Sequence, residues 1–320
     1  MYALILVDYN SLDSTIAYIE RYQKAIQKSA SSHILIVETG DAKDAVERLT
    51  QTYGAPETIQ LKGITQPLYC FQWEDYQIVY CPAGENLGYA KGNNLGTAIA
   101  RELWADPYYI ISNNDLEFRE PMDLQIADDL FAQNPKIAVI GPQVITPAGK
   151  QQSPHKWISA YRRLIVFIWL CALDRFLKPQ QYQKLRAKYC EDLCFDAPTG
   201  PCAWVSGCFF LLRADAFHAA DMFDPHTFLY AEEPILSRRL EAAGYQVWFC
   251  RELAVTHVHG QTTKNAFSRL RIMKLDFQSI WYYYKTYTNT PAIVLLLAKW
   301  NFALYCFAHR CFNLFKETSR

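Results

Sequence analysis

Three clusters of side chains in this sequence are of types that can do chemistry. The first is Asn113-Asn114-Asp115, two amides and a carboxylate that end the apolar run from Tyr108 to Ser112. Ligands of open α/β sheets bind beyond the carboxyl ends of buried strands. Oxygen donors gathered there suit a hard divalent cation and, with it, a diphosphate. A plain turn uses the same residues, because Asn and Asp bond their own backbone. The second cluster is Glu232-Glu233, adjacent carboxylates after an aromatic loop, with Pro234 placed for the first turn of a helix. The helix dipole by itself favours acids at that position. The third is His257 and His259, which share one face if the chain is extended there. A further stretch, Gly84 to Gly96, repeats glycine at every fourth residue. It reads either as a helix face made for close packing or as a loop that carries backbone amides and Lys91 to a phosphate. It is neither GxxxxGK[ST] nor GxGxxG.

The elements that must position these groups are legible in outline. Tyr2 to Val7, His33 to Val37 and Gln77 to Cys81 read as buried strands, and Tyr108 to Ser112 as a central one. Helical spacing follows Ser11 and Asp13 (Ile16, Ile19, Tyr22, Ile26), runs over 42–53, and recurs from Ala98 to Trp104. Alternation of strand and helix predicts a parallel sheet. Ile137 to Ile140, Ala203 to Leu212 and Tyr245 to Cys250 add strands; Leu124 to Gln133 and Ile235 to Ala243 add helices. Gly207, inside one of these strands, suggests close approach of another group to the backbone. Residues 54–75 show no clear pattern.

The 320 residues allow one large α/β domain with additions, or two domains. Lys and Arg balance Asp and Glu at 32 each, so no global field recruits nucleic acid. The 10 cysteines include no CxxC pair, and the Cys190, Cys194, Cys202, Cys208 spacing fits no zinc pattern. Unpaired thiols, and a start that enters a strand with no charged leader, predict a cytosolic protein. Tyr161 to Leu177 is apolar with basic flanks and is short for a membrane span. It reads as a helix lying on a membrane or on the sheet. The tail, Phe277 to Phe315, is aromatic and apolar, with Lys299 and Asn301 inside its most apolar part. It predicts a helical hairpin, docked either on a bilayer surface or on the protein's own core.

Taken together, these segments resemble the family-two inverting glycosyltransferases, in their rhamnosyltransferase-like and capsular-polysaccharide branch. Leu4 to Ser11 resembles the family's first strand and nucleotide loop. Asn86-Leu87-Gly88-Tyr89-Ala90-Lys91-Gly92-Asn93-Asn94 matches its NLGYAKGNN-type segment. Asn113-Asn114-Asp115 stands in the place of its DxD. Val205 to Cys208, Phe223-Asp224 and Phe228 to Glu233 resemble the acceptor side, and His257 to Thr263 the closing His loop. The resemblance implies a GT-A-type α/β fold with a mixed, mostly parallel sheet over residues 1–265. A helical extension over 266–320 follows it, membrane-associated or packed on the core.

The resemblance also implies transfer of a sugar from a nucleoside-diphosphate sugar to a glycan or lipid-linked acceptor, with inversion, at the inner face of the cell membrane. The donor would be bound by Val7, Tyr9, Asn10, Glu38, Asn86, Gly88, Lys91, Asn94, Asn113, Asn114 and Gly207. A divalent cation, Mg²⁺ or Mn²⁺, would be held by Asp115 with Asn113 and His257. Glu233 would be the base that takes the acceptor's proton, with Glu232 beside it. Three positions depart from the family pattern: Asn113 replaces the first acid of the DxD, Glu38 replaces the usual Asp of the second strand, and Ile235 stands where an Asp is common. The departures at Asn113 and Ile235 suit a second reading, a catalytically silent relative that binds nucleotide sugar or scaffolds a membrane assembly; the retained Asp115 and Glu233 count against it. A nucleotidyltransferase is disfavoured, because Asp8-Tyr9-Asn10-Ser11 is not the Gly- and Arg/Lys-rich loop that chemistry wants.

Overall fold

In the computed structural model, residues 1–26, 31–41, 43–173, 176–258 and 269–318 are described, the last with side chains only from 270 to 310. The chain divides into two compact units: Met1–His155 with Leu193–Ala266, and Lys156–Asp192 with Phe267–Arg320.

The first unit is built on one mixed sheet. In chain order its strands are β1 (Tyr2–Asp8), β2 (His33–Glu38), β3 (Glu57–Ile59), β4 (Leu68–Trp73), β5 (Tyr76–Pro82), β6 (Tyr108–Ser112), β7 (Leu116–Glu117), β8 (Ile137–Ile145), β9 (Gly200–Pro201), β10 (Phe209–Arg213) and β11 (Gln246–His257). Their spatial order is β3-β4-β5-β2-β1-β6-β10-β8-β11-β7, with β9 beside β11. β5, β2, β1 and β6 are mutually parallel, and β10 runs antiparallel between β6 and β8. The carboxyl ends of β1, β2 and β6 and the start of β10 therefore meet along one edge.

β1 shows why this sheet is covered on both faces. Leu4 and Leu6 enter one core with Tyr18, Ile36 and Phe209. Ala3 and Ile5 enter the other with Val37, Ile99 and Phe210. Alternate residues point to opposite faces, so a strand buried on both reads as a continuous apolar run.

Several elements differ from the sequence expectation. The helix expected from Ala98 begins at Gly88 and runs to Leu103, so it takes in most of the glycine-repeat segment. An added Cβ would lie 2.9 Å from Val7 Cγ1 at Gly92 and 2.6 Å from Ile5 Cγ2 at Gly96. These glycines bring the helix axis down onto β1, which is the packing reading. Residues expected to be patternless, 54–75, contain the antiparallel strands β3 and β4. The strand expected over Ala203 to Leu212 is confined to β10, because Gly207 and Cys208 turn into the site.

The second unit is helical: a π-helical turn Tyr161–Val166 leading into Phe167–Leu173, then Pro179–Cys190, Arg269–Thr286 and Ala292–Thr318. It is discontinuous in sequence, where a single tail from 266 was expected. The apolar stretch at 161 packs on the tail helices. Asn301 Nδ2 donates to Ile165 O at 3.4 Å, and the Arg163–Asp276 ion pair spans 3.5 Å. Phe277 stacks on Phe302 with centroids 4.1 Å apart, and Trp281 Nε1 donates to Leu295 O at 3.1 Å. Ala292–Arg310 is long and apolar enough to cross a membrane by length and composition.

Candidate active site

The strand-end edge carries three linked clusters. At the β1–β2 end, Asp8 and Glu38 are directly opposed in the parallel register and both are buried. Asp8 Oδ1 accepts the Ser11 N–H at 2.9 Å, and Oδ2 accepts the Ser11 hydroxyl at 2.9 Å and the Thr15 hydroxyl. The Ser11 and Thr15 spacing places both hydroxyls at the start of the Leu12–Ala25 helix. Glu38 Oε1 accepts from Gly40 N at 2.6 Å and Asn10 N at 3.4 Å, while Oε2 is buried. Burial first, then the adjoining side chain and charge of Asp8, push the Glu38 carboxyl up to about 8. A carboxyl that holds its proton near neutrality can donate as well as accept a hydrogen bond.

Asn114 joins this cluster to the next. Its Nδ2 donates toward Thr15 Oγ1 at 2.8 Å, Ser11 Oγ at 2.9 Å and Asp8 Oδ2 at 3.3 Å. Its amide therefore anchors the first loop. Asp115, next in the chain, turns to β11. Val258 N donates to Asp115 O at 3.0 Å, and Asp115 Oδ1 lies 3.3 Å from His257 Nε2. His257 Nδ1 sits 3.0 Å from Gln152 Oε1. A carbonyl oxygen only accepts, so Nδ1 is the donor in this contact, and Nε2 is the ring atom turned to Asp115.

One carboxylate oxygen and one imidazole nitrogen in this orientation fit a divalent cation that takes its other oxygens from a diphosphate and water. Among the described residues no group of three or more His, Cys, Asp or Glu gathers as a metal site. Asn113 is fixed by its own N–H to Cys208 O at 2.8 Å. His259 and the rest of the closing loop lie outside the described residues.

The third cluster holds the paired acids. Glu232 and Glu233 open the Glu232–Ala242 helix, directly after Tyr230 and Ala231, whose φ values are 73° and 67°. This left-handed pair reverses the chain so that Glu233 meets the start of β10. Gly207 N donates to Glu233 Oε1 at 3.0 Å. A Cβ on Gly207 would lie 2.5 Å from that oxygen, so the close approach expected at this glycine is made by Glu233. Tyr89 OH donates to Gly207 O at 2.6 Å, which pins the same peptide segment from its other side. Burial, then the charge of Glu233, hold the Tyr89 phenol well above its ordinary value, so it stays a donor. Gly88, with φ 68°, lets Tyr89 N reach Phe228 O at 3.2 Å. Asn94 donates to Phe223 O at 2.8 Å and accepts from Phe223 N at 3.0 Å.

One covalent and hydrogen-bonded path therefore runs from Glu233 through Gly207 and Cys208 to Asn113 and Asp115, and on through Asn114 to Asp8. Of the residues expected to hold a donor, Tyr9 and Asn10 flank the Asp8–Glu38 pair, and Val7 lies under Gly92. Asn94 spends both ends of its amide on Phe223, and Lys91 is exposed on the outer side of its helix. Asn86 is exposed, and its Oδ1 accepts the Gly88 N–H at 3.1 Å. Asp8, Tyr89 and Gln152 were not among the expected site residues. Asp8 had a signal, an acid at a strand end followed by hydroxyls at Ser11 and Thr15. Gln152 had none, since only the fold brings it to His257.

No family model matches the chain. The fold is that of the GT-A glycosyltransferases, as the resemblance implied. It is similar to GalNAc-T7 with UDP, GalNAc and Mn²⁺, at a TM-score of 0.56 and 11% identity, over 88% of this chain and 49% of that one. It is also similar to the mannosyltransferase PcManGT from Pyrobaculum calidifontis in complex with GDP-Man and Mn²⁺, at a TM-score of 0.52 and 10% identity, over 96% and 73%. In sequence the chain is similar to N-acetylglucosaminyl-diphospho-decaprenol L-rhamnosyltransferase of Mycobacterium tuberculosis strains CDC 1551 and H37Rv, 25% identical over 194 residues. The match takes in 57% of this chain and spans 59% of the length of these curated relatives.

Proposed function

We propose that this chain is an inverting, cation-dependent glycosyltransferase. It moves a sugar from a nucleoside-diphosphate sugar to a lipid-linked glycan acceptor in surface polysaccharide synthesis, at the inner face of the cell membrane. The observation that carries the reading is the path between Glu233 and Asp115. It joins a backbone-anchored carboxylate and a carboxylate–imidazole pair along one strand-end edge. The lipid-linked acceptor is supported by the relatives' name, which includes a diphospho-decaprenol carrier.

Glu233 accepts the proton of the acceptor hydroxyl as that oxygen attacks the anomeric carbon. The bond from that carbon to the diphosphate oxygen breaks on the opposite face, so the configuration inverts. Gly207 N–H and the left-handed turn at Tyr230 and Ala231 fix where Glu233 points, and orientation of this kind supplies much of an enzyme's rate. Asp115 and His257 would hold the divalent cation, which when bound supplies positive charge to the leaving diphosphate. Gln152, by accepting from His257 Nδ1, would orient the ring with Nε2 toward that cation. We give the β1–β2 end of the edge to the nucleotide base, where a protonated Glu38 beside Asp8 offers a donor.

Calorimetry with a panel of nucleoside diphosphates, with and without Mn²⁺, tests this. The reading expects cation-dependent binding of one of them, kept in Glu233→Gln while sugar transfer is lost. Binding without any transfer by the wild-type chain, across lipid-linked and free acceptors, would favour the silent relative.

A further inference from the structure

Net neutrality of the chain hides a segregation of charge. Of its 32 Lys and Arg and 32 Asp and Glu, 16 bases and 5 acids fall in residues 156–192 and 267–320, a net of +11. That leaves 16 bases and 27 acids, a net of −11, in the sheet unit. Charge asymmetry of this size between two parts of one chain points to a charged partner for one of them.

The basic unit is also the one that exposes large apolar side chains. On Ala292–Thr318, Ile293, Leu296, Leu297, Trp300, Leu304 and Phe307 are each more than half exposed. At 3.6 residues per turn they occupy one face roughly 100° wide. The opposite face is spent on packing, with Ala298 and Phe302 buried and Phe302 stacked on Phe277. In the same unit Trp169, Leu173 and Phe176 are exposed at positions i, i+4 and i+7. The same unit exposes bases. Lys299 lies over the Trp281 ring at 4.1 Å, at the margin of the longer stripe. Lys178, Lys184 and Lys188 are exposed on or beside the Pro179–Cys190 helix, which carries no acid.

Soluble proteins rarely leave an apolar face of this size open. A wide apolar stripe in a basic unit, on a helix whose other face is already packed, matches a helix lying in the plane of a bilayer. We infer that the unit formed by residues 156–192 and 267–320 is a docking surface for an anionic lipid bilayer, entered by the Ile293–Phe307 stripe and held by the unit's bases. The inference stands on this unit alone and is independent of the transfer reaction.

The test is co-sedimentation of the full chain with vesicles. One set is phosphatidylcholine alone; the other contains roughly 30% phosphatidylglycerol, each at about 50 mM and about 500 mM NaCl. The expected result is binding to the anionic vesicles only, with release at high salt. Each base near the surface is worth about fivefold in affinity, so Lys184→Gln with Lys188→Gln should weaken binding roughly 25-fold. Trp300→Glu with Leu304→Glu should abolish it, with nucleotide affinity unchanged as the check on folding. Binding to neither vesicle would overturn the inference. So would equal binding to neutral vesicles, or retention at high salt, which would mean a spanning helix in place of a docked one.

Discussion

Replacing Gly207 with Ala tests the assignment of Glu233 more sharply than removing the acid itself. The added Cβ would sit 2.5 Å from Glu233 Oε1 and 3.0 Å from its Cγ and Cδ. Ordinary contacts between such atoms are about 3.5 Å, so the carboxylate must retreat by about 1 Å. The φ of Gly207 is not left-handed, and the neighbour that yields is the end of a side chain. Stability should therefore change by no more than about 1 kcal/mol. Catalysis should not be spared, because a displacement near 1 Å costs on the order of 100-fold, or about 2.7 kcal/mol of activation free energy. The assay is steady-state transfer with donor and acceptor varied, beside thermal unfolding and calorimetric nucleotide binding. We expect kcat to fall about 100-fold with Tm and donor affinity held. An alanine variant with normal kcat would refute the role given to Glu233. Loss of donor affinity in parallel with kcat would move Gly207 to the donor side.

Three further outcomes follow from the same geometry. Glu38 is raised to about 8 from an ordinary value near 4.5, so between those values the folded state binds a proton that the unfolded state has lost. Stability from this group therefore falls as pH rises from about 4.5 to about 8, by about 1.4 kcal/mol per pH unit at most; Glu38→Gln should flatten that slope in urea unfolding across the range. Asp115→Asn keeps the shape and removes the charge, so Mn²⁺-dependent nucleotide binding should weaken at least tenfold while binding without the metal is unchanged. Gly96→Ala drives a Cβ to 2.6 Å from Ile5 Cγ2, and overpacking of about 1–3 kcal/mol should outweigh the gain in helix propensity. Its urea midpoint should drop with the nucleotide site still assembled.

The elements that can be read in the sequence are those where one residue type has one dominant use. Buried parallel strands announce themselves as unbroken apolar runs, so β1, β2 and β6 and the polar groups at their ends are legible. Gly88, Gly92 and Gly96 are visible, but spacing alone does not separate a turn from a packing face. Gly88 proves to be the turn, and the other two pack on Val7 and Ile5. The β3–β4 pair escapes because its residues are partly exposed and follow no clean alternation. Hydropathy does not tell whether Tyr161 to Leu177 lies on the sheet or on other helices, since both surfaces are apolar. Gln152 escapes for a different reason: its value comes only from the neighbour that the fold gives it.

The two left-handed residues before Glu233 bear on how this protein can be improved. Tyr230 and Ala231 both carry a Cβ at positive φ, a conformation that costs roughly 1–2 kcal/mol per residue. Glycine at either position would relieve that cost, so a selection for heat resistance would be drawn to these two codons. The same change would loosen the turn that aims the carboxylate. Variants enriched by such a selection should trade turnover for lifetime, and the trade should reverse when the selection is for product.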